Sequence, residues 1–359
     1  MTFQAVDLFS GAGGMSLGLA GAGFAVRAAF DNWAPAVRSY QANFHHPIYE
    51  SDVAELTADN LVELSGVPVG DLDLLAGGPP CQGFSIQRIG ADVDTRNDLV
   101  LEFARLVSDL QPRMFLMENV PGLLGRRGAY TFSRFGQILA AANYGWTAHR
   151  IDAVDYGVPQ SRRRVLAIGW RRDERPFVLP RPHAEQVTVG QAFADLPKPA
   201  PPGTHNPADP LHVNSRLSPI NAERLKHIPP GGGFMDLPVE LRVNCHRNGA
   251  DAIGHRAVYG RLHADKPAGV ITARFDSFTR GRFAHPMEDR NITLREGARL
   301  QSFPDNFVFL GNREEIAAQI GNAVPPAVAR SVGTAIIQHL SDQTDQPSPQ
   351  GPTQLALFP

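Results

Sequence analysis

Residues 7–19, DLFSGAGGMSLGL, are the stretch on which the fold turns. The apolar run Ala5–Phe9 reads as a buried strand, Gly11, Gly13 and Gly14 make a tight turn, and an apolar segment with helical spacing follows. Glycines in such a turn let the backbone approach a ligand, and the start of the helix offers N–H groups that lack intrahelical partners. The dinucleotide fingerprint G-x-G-x-x-G is not met, because Ser16 stands where its third glycine belongs. A nucleotide ligand without a pyrophosphate is therefore expected.

Working outward, the runs VRAAF (26–30), LDLLA (72–76), RMFLME (113–118) and RVLAIGW (164–170) read as further strands. Between them, Leu99, Leu101, Phe103, Leu106, Val107 and Leu110 mark one helix, and Phe132, Phe135, Ile138 and Leu139 mark another. This alternation predicts an α/β fold with a doubly wound, mostly parallel sheet. Ligands of such sheets lie at the carboxyl ends of the strands. There stand Asp31, suited to a ribose diol, Asp52, at the place where a third strand's end would reach an adenine edge, and Cys81. From about 175 to 238 the pattern dissolves into proline-rich loops, and it returns at TLREGARLQSF and PAVARSVGTAIIQHL. The expected organisation is a catalytic and cofactor-binding domain over 1–170, a smaller irregular recognition domain over 171–293, a return to the first domain over 294–340 and a disordered tail over 341–359.

Composition excludes several classes. No stretch approaches the roughly 20 apolar residues of a membrane helix, and no secretory signal opens the chain, so a cytoplasmic location with no membrane partner is expected. Two distant cysteines argue against a disulfide framework or a structural zinc site, and Cys245 reads as packing. The net charge of -2 hides an asymmetry: residues 1–80 carry nine acids against Arg27 and Arg38, while residues 242–282 carry seven Arg and one Lys against three Asp. The second stretch, with interleaved His and aromatic residues, suits a phosphate-bearing partner.

In GGPPCQGFS (77–85), prolines and a glycine hold Cys81 on a stiff turn directly after a strand, where a thiolate can act as a nucleophile. With this loop the ordered motifs DLFSGAGG, PPCQGFS, MENV (117–120), QSRRR (160–164), REGARLQSFPDNF (295–307) and QIGNAVPPAVA (319–329) resemble those of the cytosine-5 DNA methyltransferases of bacterial type, which use S-adenosylmethionine. The resemblance covers almost the whole chain.

The resemblance implies that the Cys81 thiolate adds to cytosine C6 and makes C5 nucleophilic, on a base flipped out of its duplex beneath the loop Ser85–Arg96. A protonated Glu118 would bond to N3 and N4 of the ring, Asn119 would buttress the cysteine loop, and Arg162 and Arg164 would touch the base oxygen and that loop. Arg163 departs from the acid that many members carry, and is expected to face phosphate. For the cofactor, the resemblance implies that Phe9 stacks on the adenine, Asp31 holds the ribose, and Asp52 with Val53 reads the adenine edge. Ser10 and Asn32 join this cofactor set; Gly11, Gly13 and Gly14 would line the methionine moiety, and Leu99 and Asn322 would close the pocket. Asp31 replaces the family's more usual Glu.

Double-stranded DNA is the expected partner, with Arg274, Arg280 and Arg282 in ARFDSFTRGRF as candidate contacts. A cognate restriction enzyme, a wider phage-defence system or a solitary role remain open. A tRNA cytosine-5 methyltransferase is the alternative, SIQRIG (85–90) being faintly similar to that group; the long segment 171–293 and its basic stretch favour DNA. In the tail, Gln354, Leu355, Leu357 and Phe358 resemble the short peptide by which bacterial replication and repair proteins dock on the sliding clamp; an apolar anchor folded back on the body is the other reading.

Overall fold

The computed structural model describes residues 2–80, 98–182, 184–244 and 257–343. Strands β1 (Gln4–Leu8), β2 (Ala25–Asp31), β3 (Ile48–Glu50), β4 (Leu74–Gly77), β5 (Met114–Asn119), β6 (Tyr144–Asp152) and β7 (Arg163–Arg171) form one sheet in the order β3-β2-β1-β4-β5-β7-β6. The pairings among β1 to β5 are all parallel, whereas β7 runs antiparallel to both β5 and β6. The order reverses between β1 and β4, which opens a crevice at their carboxyl ends. That crevice receives the glycine turn from one strand and the chain leading to Cys81 from the other.

Helices α1 (Gly14–Ala22), α2 (Ala34–Asn43), α3 (Ala58–Ser65), α4 (Asp98–Leu110) and α5 (Ala129–Ala141) connect the strands. Beyond the sheet come α6 (Val189–Phe193), α7 (Pro219–Lys226), the short strands β8 (Gly260–Arg261) and β9 (Arg282–Ala284), α8 (Leu294–Leu300), α9 (Arg313–Asn322) and α10 (Pro326–Gln343), numbered over the described residues. No helix among these residues is long and apolar enough to cross a membrane.

The period-2 geometry of the strands divides their side chains between two cores. Val6, Leu8, Phe115 and Met117 face one side with Leu61 of α3, Phe103 and Val107 of α4 and Phe135 and Leu139 of α5. Ala5, Met114 and Leu116 face the other, with Met15 and Leu19 of α1 and Val328, Val332 and Ile336 of α10. A sheet covered on both faces explains the continuous apolar runs of β4 and β5.

All five strands expected from sequence are present, with ends shifted by a residue or two, and the two helices marked by their apolar spacing are α4 and α5. β6 was not anticipated: YGWTAHRID alternates polar with apolar residues, as suits an edge strand with most side chains half-buried. The expected boundary at 293/294 falls inside a shared core. Leu294, Ala298 and Leu300 of α8 and Ile316 and Ile320 of α9 pack both with Leu262, Ile271, Phe275 and Phe283 and with Ala12, Leu17 and Phe44 of the first domain, and α10 then packs on the sheet.

That packing depends on Gly18. A Cβ there would collide with the Ala329 Cβ and the Pro326 carbonyl of α10. Gly18→Val is expected to lower the urea midpoint by an amount corresponding to about 1–3 kcal/mol, the usual cost of overpacking, read as a shift of the denaturation curve.

Candidate active site

A cavity of about 650 Å³ occupies the crevice, within the range of small-molecule sites. Phe9, Ser10, Gly11, Asp31, Asn32, Asp52, Val53, Leu99, Glu118, Asn119, Arg162, Arg164 and Asn322 all line it, together with Pro79 and Pro80, which lead to Cys81. Cys81 itself lies outside the described residues, as do the loop 85–96, Cys245 and Gln354, Leu355, Leu357 and Phe358. Residues that sequence reasoning passed over also line it: Trp33, Val120, Thr272 and Gln319. Trp33 had a usable signal, an aromatic side chain two positions after the acid that ends β2.

Strand register brings the nucleotide-facing residues together. β2 pairs with β3 so that Asp31 lies beside Glu50, and the chain then passes through Asp52 into a short 3-10 turn, Val53–Glu55, which the Asp52 carboxylate caps at Ala54 N (3.0 Å). Asp31 Oδ2 accepts the Gly11 N–H (2.8 Å) and Oδ1 accepts the Trp33 N–H (2.9 Å). Each oxygen keeps acceptor capacity for a ligand hydroxyl. Burial raises the Asp31 pKa, and these two N–H groups work against that shift.

Phe9 has φ 56, an uncommon conformation for a bulky residue, in the turn that leads into the cavity. A Cβ on Gly11 would meet only open space, so its missing side chain leaves room above the turn. Gly13 and Gly14 are placed differently. Neither borders the cavity; side chains there would strike the Phe44 ring and the Val324 carbonyl, so these glycines let α1 pack closely.

Beneath the turn lies a buried chain of hydrogen bonds. Tyr40 Oη donates to Ser16 Oγ (2.7 Å), and Ser16 Oγ donates to Asp7 Oδ2 (2.6 Å). Burial pushes the Asp7 carboxyl up to about 7, against the bond from Ser16, which lowers it.

The other end of the cavity carries the acid and the arginines. The Glu118 carboxylate and the Arg164 Nε form an ion pair at 2.8 Å, with side chains 12% and 14% exposed. Asn119 Nδ2 donates to the Pro79 carbonyl (3.2 Å), holding the chain that enters the cysteine loop. Arg162 lines the cavity and also binds backbone. Its Nη1 donates to the carbonyls of Ile271 (3.2 Å) and Gly321 (2.9 Å) and its Nη2 to that of Ala323 (3.1 Å), so most of the guanidinium holds backbone. Among the described residues its buried Nε has no hydrogen-bond partner. Burial, then the neighbouring Arg164 charge, brings its pKa down to about 9.

The three candidate DNA contacts separate. Arg280 is exposed at the end of a 3-10 turn, Phe278–Arg280. Arg274 is paired with Glu314 (3.2 Å) and Asp276 (3.8 Å). Arg282 Nη1 donates to the carbonyls of Gly231, Gly232 (2.6 Å) and Arg261 (3.0 Å), which makes it a strut of the recognition segment. Arg163 is 82% exposed, 3.7 Å from Asp152.

A seven-stranded sheet with a nucleotide-sized crevice at its switch point defines an S-adenosylmethionine-dependent methyltransferase fold. The model of the C-5 cytosine-specific DNA methylases matches residues 3–338, and the chain belongs to that family. It is 33% identical over 345 residues to the type II methylase M.HgiDII of Herpetosiphon aurantiacus, covering 95% of this chain and 96% of that one. It is 36% identical over 344 residues to the type II methyltransferase M1.HphI of Haemophilus parahaemolyticus, covering 94% and 87%. Among solved structures, a candidate DNA modification methyltransferase from a prophage of E. coli superposes with a TM-score of 0.73 at 28% identity, over 94% of this chain and 99% of that one. The Dnmt2 methyltransferase of S. pombe shares the fold alone, with a TM-score of 0.60 at 17% identity, over 95% and 99%.

S-adenosylmethionine is the methyl donor of this family. The site fits it: Asp31 has acceptor capacity left for a ribose diol, and the space above Gly11 is open.

Asp31→Ala is expected to raise the S-adenosylmethionine Kd more than tenfold, about 1.4 kcal/mol or more, in calorimetry, with DNA affinity nearly intact. Arg280→Ala is expected to weaken duplex binding without unfolding the chain, whereas Arg282→Ala lowers the melting temperature; equal stability of the two variants would contradict the strut. The Asp7 carboxyl gives a pH prediction. Its folded pKa of about 7 lies above the ordinary 3.8, so its contribution to stability is fully present below about 3.8 and is lost as pH rises through about 7. Asp7→Asn, which keeps an acceptor for Ser16, is expected to flatten the urea-stability profile across that interval.

Proposed function

We propose that this DNA cytosine-5 methyltransferase acts on a cytosine flipped out of a specific duplex sequence, with Cys81 as the covalent nucleophile. The observation that carries the reading is the single cavity bordered at one end by Phe9, Asp31 and Val53 and at the other by Glu118, Asn119 and Arg164. A donor nucleotide and an acceptor base then meet in one space. The cofactor supplies an electrophilic methyl group. The chain does the rest: Asn119 steadies the entry to the cysteine loop, and the Cys81 thiolate adds to C6, moving the C5–C6 π pair to C5, which takes the methyl group. Glu118 in its protonated form donates to N3 and accepts from N4, and loss of the C5 proton to solvent re-forms the double bond and expels the thiolate. Arg164, already against Glu118, orients that carboxyl. Phe9 offers a face to the adenine, and Asp31 holds the ribose.

The type II relatives support a role beside a restriction enzyme or in a wider defence system, in the cytoplasm and at the nucleoid. Tritiated methyl transfer to duplex DNA and to tRNA, followed by bisulfite sequencing of DNA from an expressing host, tests the reading. Transfer to DNA at defined cytosines, abolished by Cys81→Ala, is expected; transfer confined to tRNA, or undiminished in the variant, would refute it.

For the tail, the support is sequence alone. We propose that Gln354, Leu355, Leu357 and Phe358 dock on the sliding clamp, Leu357 and Phe358 filling an apolar pocket and Gln354 bonding at its rim. Calorimetry of the tail peptide with the host's clamp should give a micromolar Kd, around -8 kcal/mol, lost on joint Leu357→Ala and Phe358→Ala substitution. No binding by the unsubstituted peptide would rule the docking out.

A further inference from the structure

Between Glu118 and Asp152 the chain holds four arginines, Arg126, Arg127, Arg134 and Arg150, and no acidic residue. The fold gathers them at one corner. Arg126 and Arg127 stand in the turn between β5 and α5, and Arg134 follows in the second turn of α5. Arg150 is near the carboxyl end of β6, which runs parallel to β5 because β7 is antiparallel to both. α5 packs on β6 through Trp146, whose ring lies 5.1 Å from Phe132 and 5.3 Å from Phe135. The strand's alternation puts Arg150 on the same face as Trp146. The corner therefore lies at the carboxyl edge of the sheet, where the cavity opens.

All four arginines are exposed, and Tyr130, between Arg127 and Arg134, is 75% exposed. Among the described residues, neither Arg126 nor Arg150 is paired with a carboxylate, and Arg134 bonds only Gln137 (2.7 Å). Elsewhere the pattern is the opposite: Arg105 is held by Glu102 and Asp109, and Arg299 by Asp195 and Asp305. The turn is also stiffened. Gly125 N donates to Gly122 O and Gly128 N to Gly125 O, both at 3.0 Å; Leu123 is fully buried, and a side chain at Gly128 would strike its carbonyl. Gly122 itself borders the cavity. A fixed cationic corner continuous with the substrate cavity, in which Arg126, Arg134 and Arg150 have no carboxylate partner among the described residues, suits a polyanion that passes across its mouth.

We infer that Arg126, Arg127, Arg134, Arg150 and Tyr130 form a second DNA-binding surface, outside the recognition segment, that grips the phosphate backbone of the duplex flanking the target cytosine. The inference rests on the DNA methyltransferase reading and adds to it a contact that positions the duplex without reading bases. Each phosphate neutralised releases counterions, so these arginines steepen the salt dependence of binding for every sequence alike.

The test is fluorescence anisotropy of the full chain with a random-sequence duplex across a NaCl series. Joint Arg126→Ala, Arg134→Ala and Arg150→Ala substitution is expected to weaken binding at least tenfold at moderate salt and to reduce the slope of log K against log salt by about 2–3, at ~0.9 per contact. Joint substitution of the same three by Lys is expected to keep the slope, since a phosphate accepts either cation. S-adenosylmethionine affinity, unchanged in both, reports an intact fold; if the alanine variant loses it, Arg126→Glu alone carries the test, with a slope reduced by about one or more. An unchanged slope would overturn the inference while leaving the methyltransferase reading intact, as would equal losses in the lysine and alanine variants, or a larger loss on an RNA hairpin than on duplex DNA.

Discussion

The cavity depends on a buried polar knot at the entrance to β7. Gln160 Nε2 donates to the Leu300 carbonyl (3.0 Å) and to Gln301 Oε1 (2.8 Å), while its Oε1 accepts the Ile271 N–H (2.8 Å). Gln301 Nε2 in turn donates to the Ile320 carbonyl (2.6 Å), and Arg162 holds the carbonyls of Ile271, Gly321 and Ala323. The backbone groups joined here come from segments more than a hundred residues from β7. The Ile320 carbonyl also accepts the Ala323 N–H at the end of its helix (3.3 Å), and a buried carbonyl left unmet in the interior would cost about 1–3 kcal/mol. The knot satisfies these carbonyls and fixes Val270–Thr272 and Gly321–Val324 as one wall of the cavity, opposite the carboxyl ends of β1, β2 and β4.

This arrangement explains why the fold was legible from sequence and the wall was not. β1, β2, β4, β5 and β7 announce themselves because a strand buried on both faces must be apolar throughout. β3 has only three residues, and β6 is an edge strand whose half-buried side chains carry His, Arg and Asp, so neither leaves a run. The antiparallel insertion of β7 between β5 and β6 is a pairing choice that composition does not record. The glycine turn, Asp31 and Asp52 were readable because backbone geometry and chain order alone bring them to the crevice. Arg162 was readable as a position of a resembling motif, yet which atoms its guanidinium meets depends on residues 109 to 161 positions away.

Charge shows the same limit. The basic stretch 242–282 suggested phosphate contacts, but Arg261 is buried among the carbonyls of Leu225, Ile228, His285 and Glu288, and Arg282 is spent on three more. In a segment with little regular structure, loop carbonyls lack ladder partners, and a planar guanidinium with five donors can meet several at once. Arginines recruited in this way raise the local charge count without adding to the outer surface. The acid-free run 119–151 has the reverse character: its loop and helix satisfy their own backbone, so its arginines remain outside.

The two ends of the cavity reflect opposite uses of burial. At Asp31, and at Asp7 beneath it, taking a carboxyl out of water raises its pKa, and donors from Ser16 of α1, from Gly11 of the turn and from Trp33 after β2 work against that cost. The Gly11 bond ties the turn to β2 and the Ser16 bond ties α1 to β1, so the penalty of burial is offset by bonds that also set the shape of the crevice. At Glu118 the counterweight is a full positive charge, Arg164, which holds the carboxylate close to its partner. A base entering there would meet a carboxyl already held in one position, with oxygens able to bond its ring atoms. The pair therefore fixes the carboxyl at the edge of the cavity, beside Asn119 and the chain that leads to the cysteine loop.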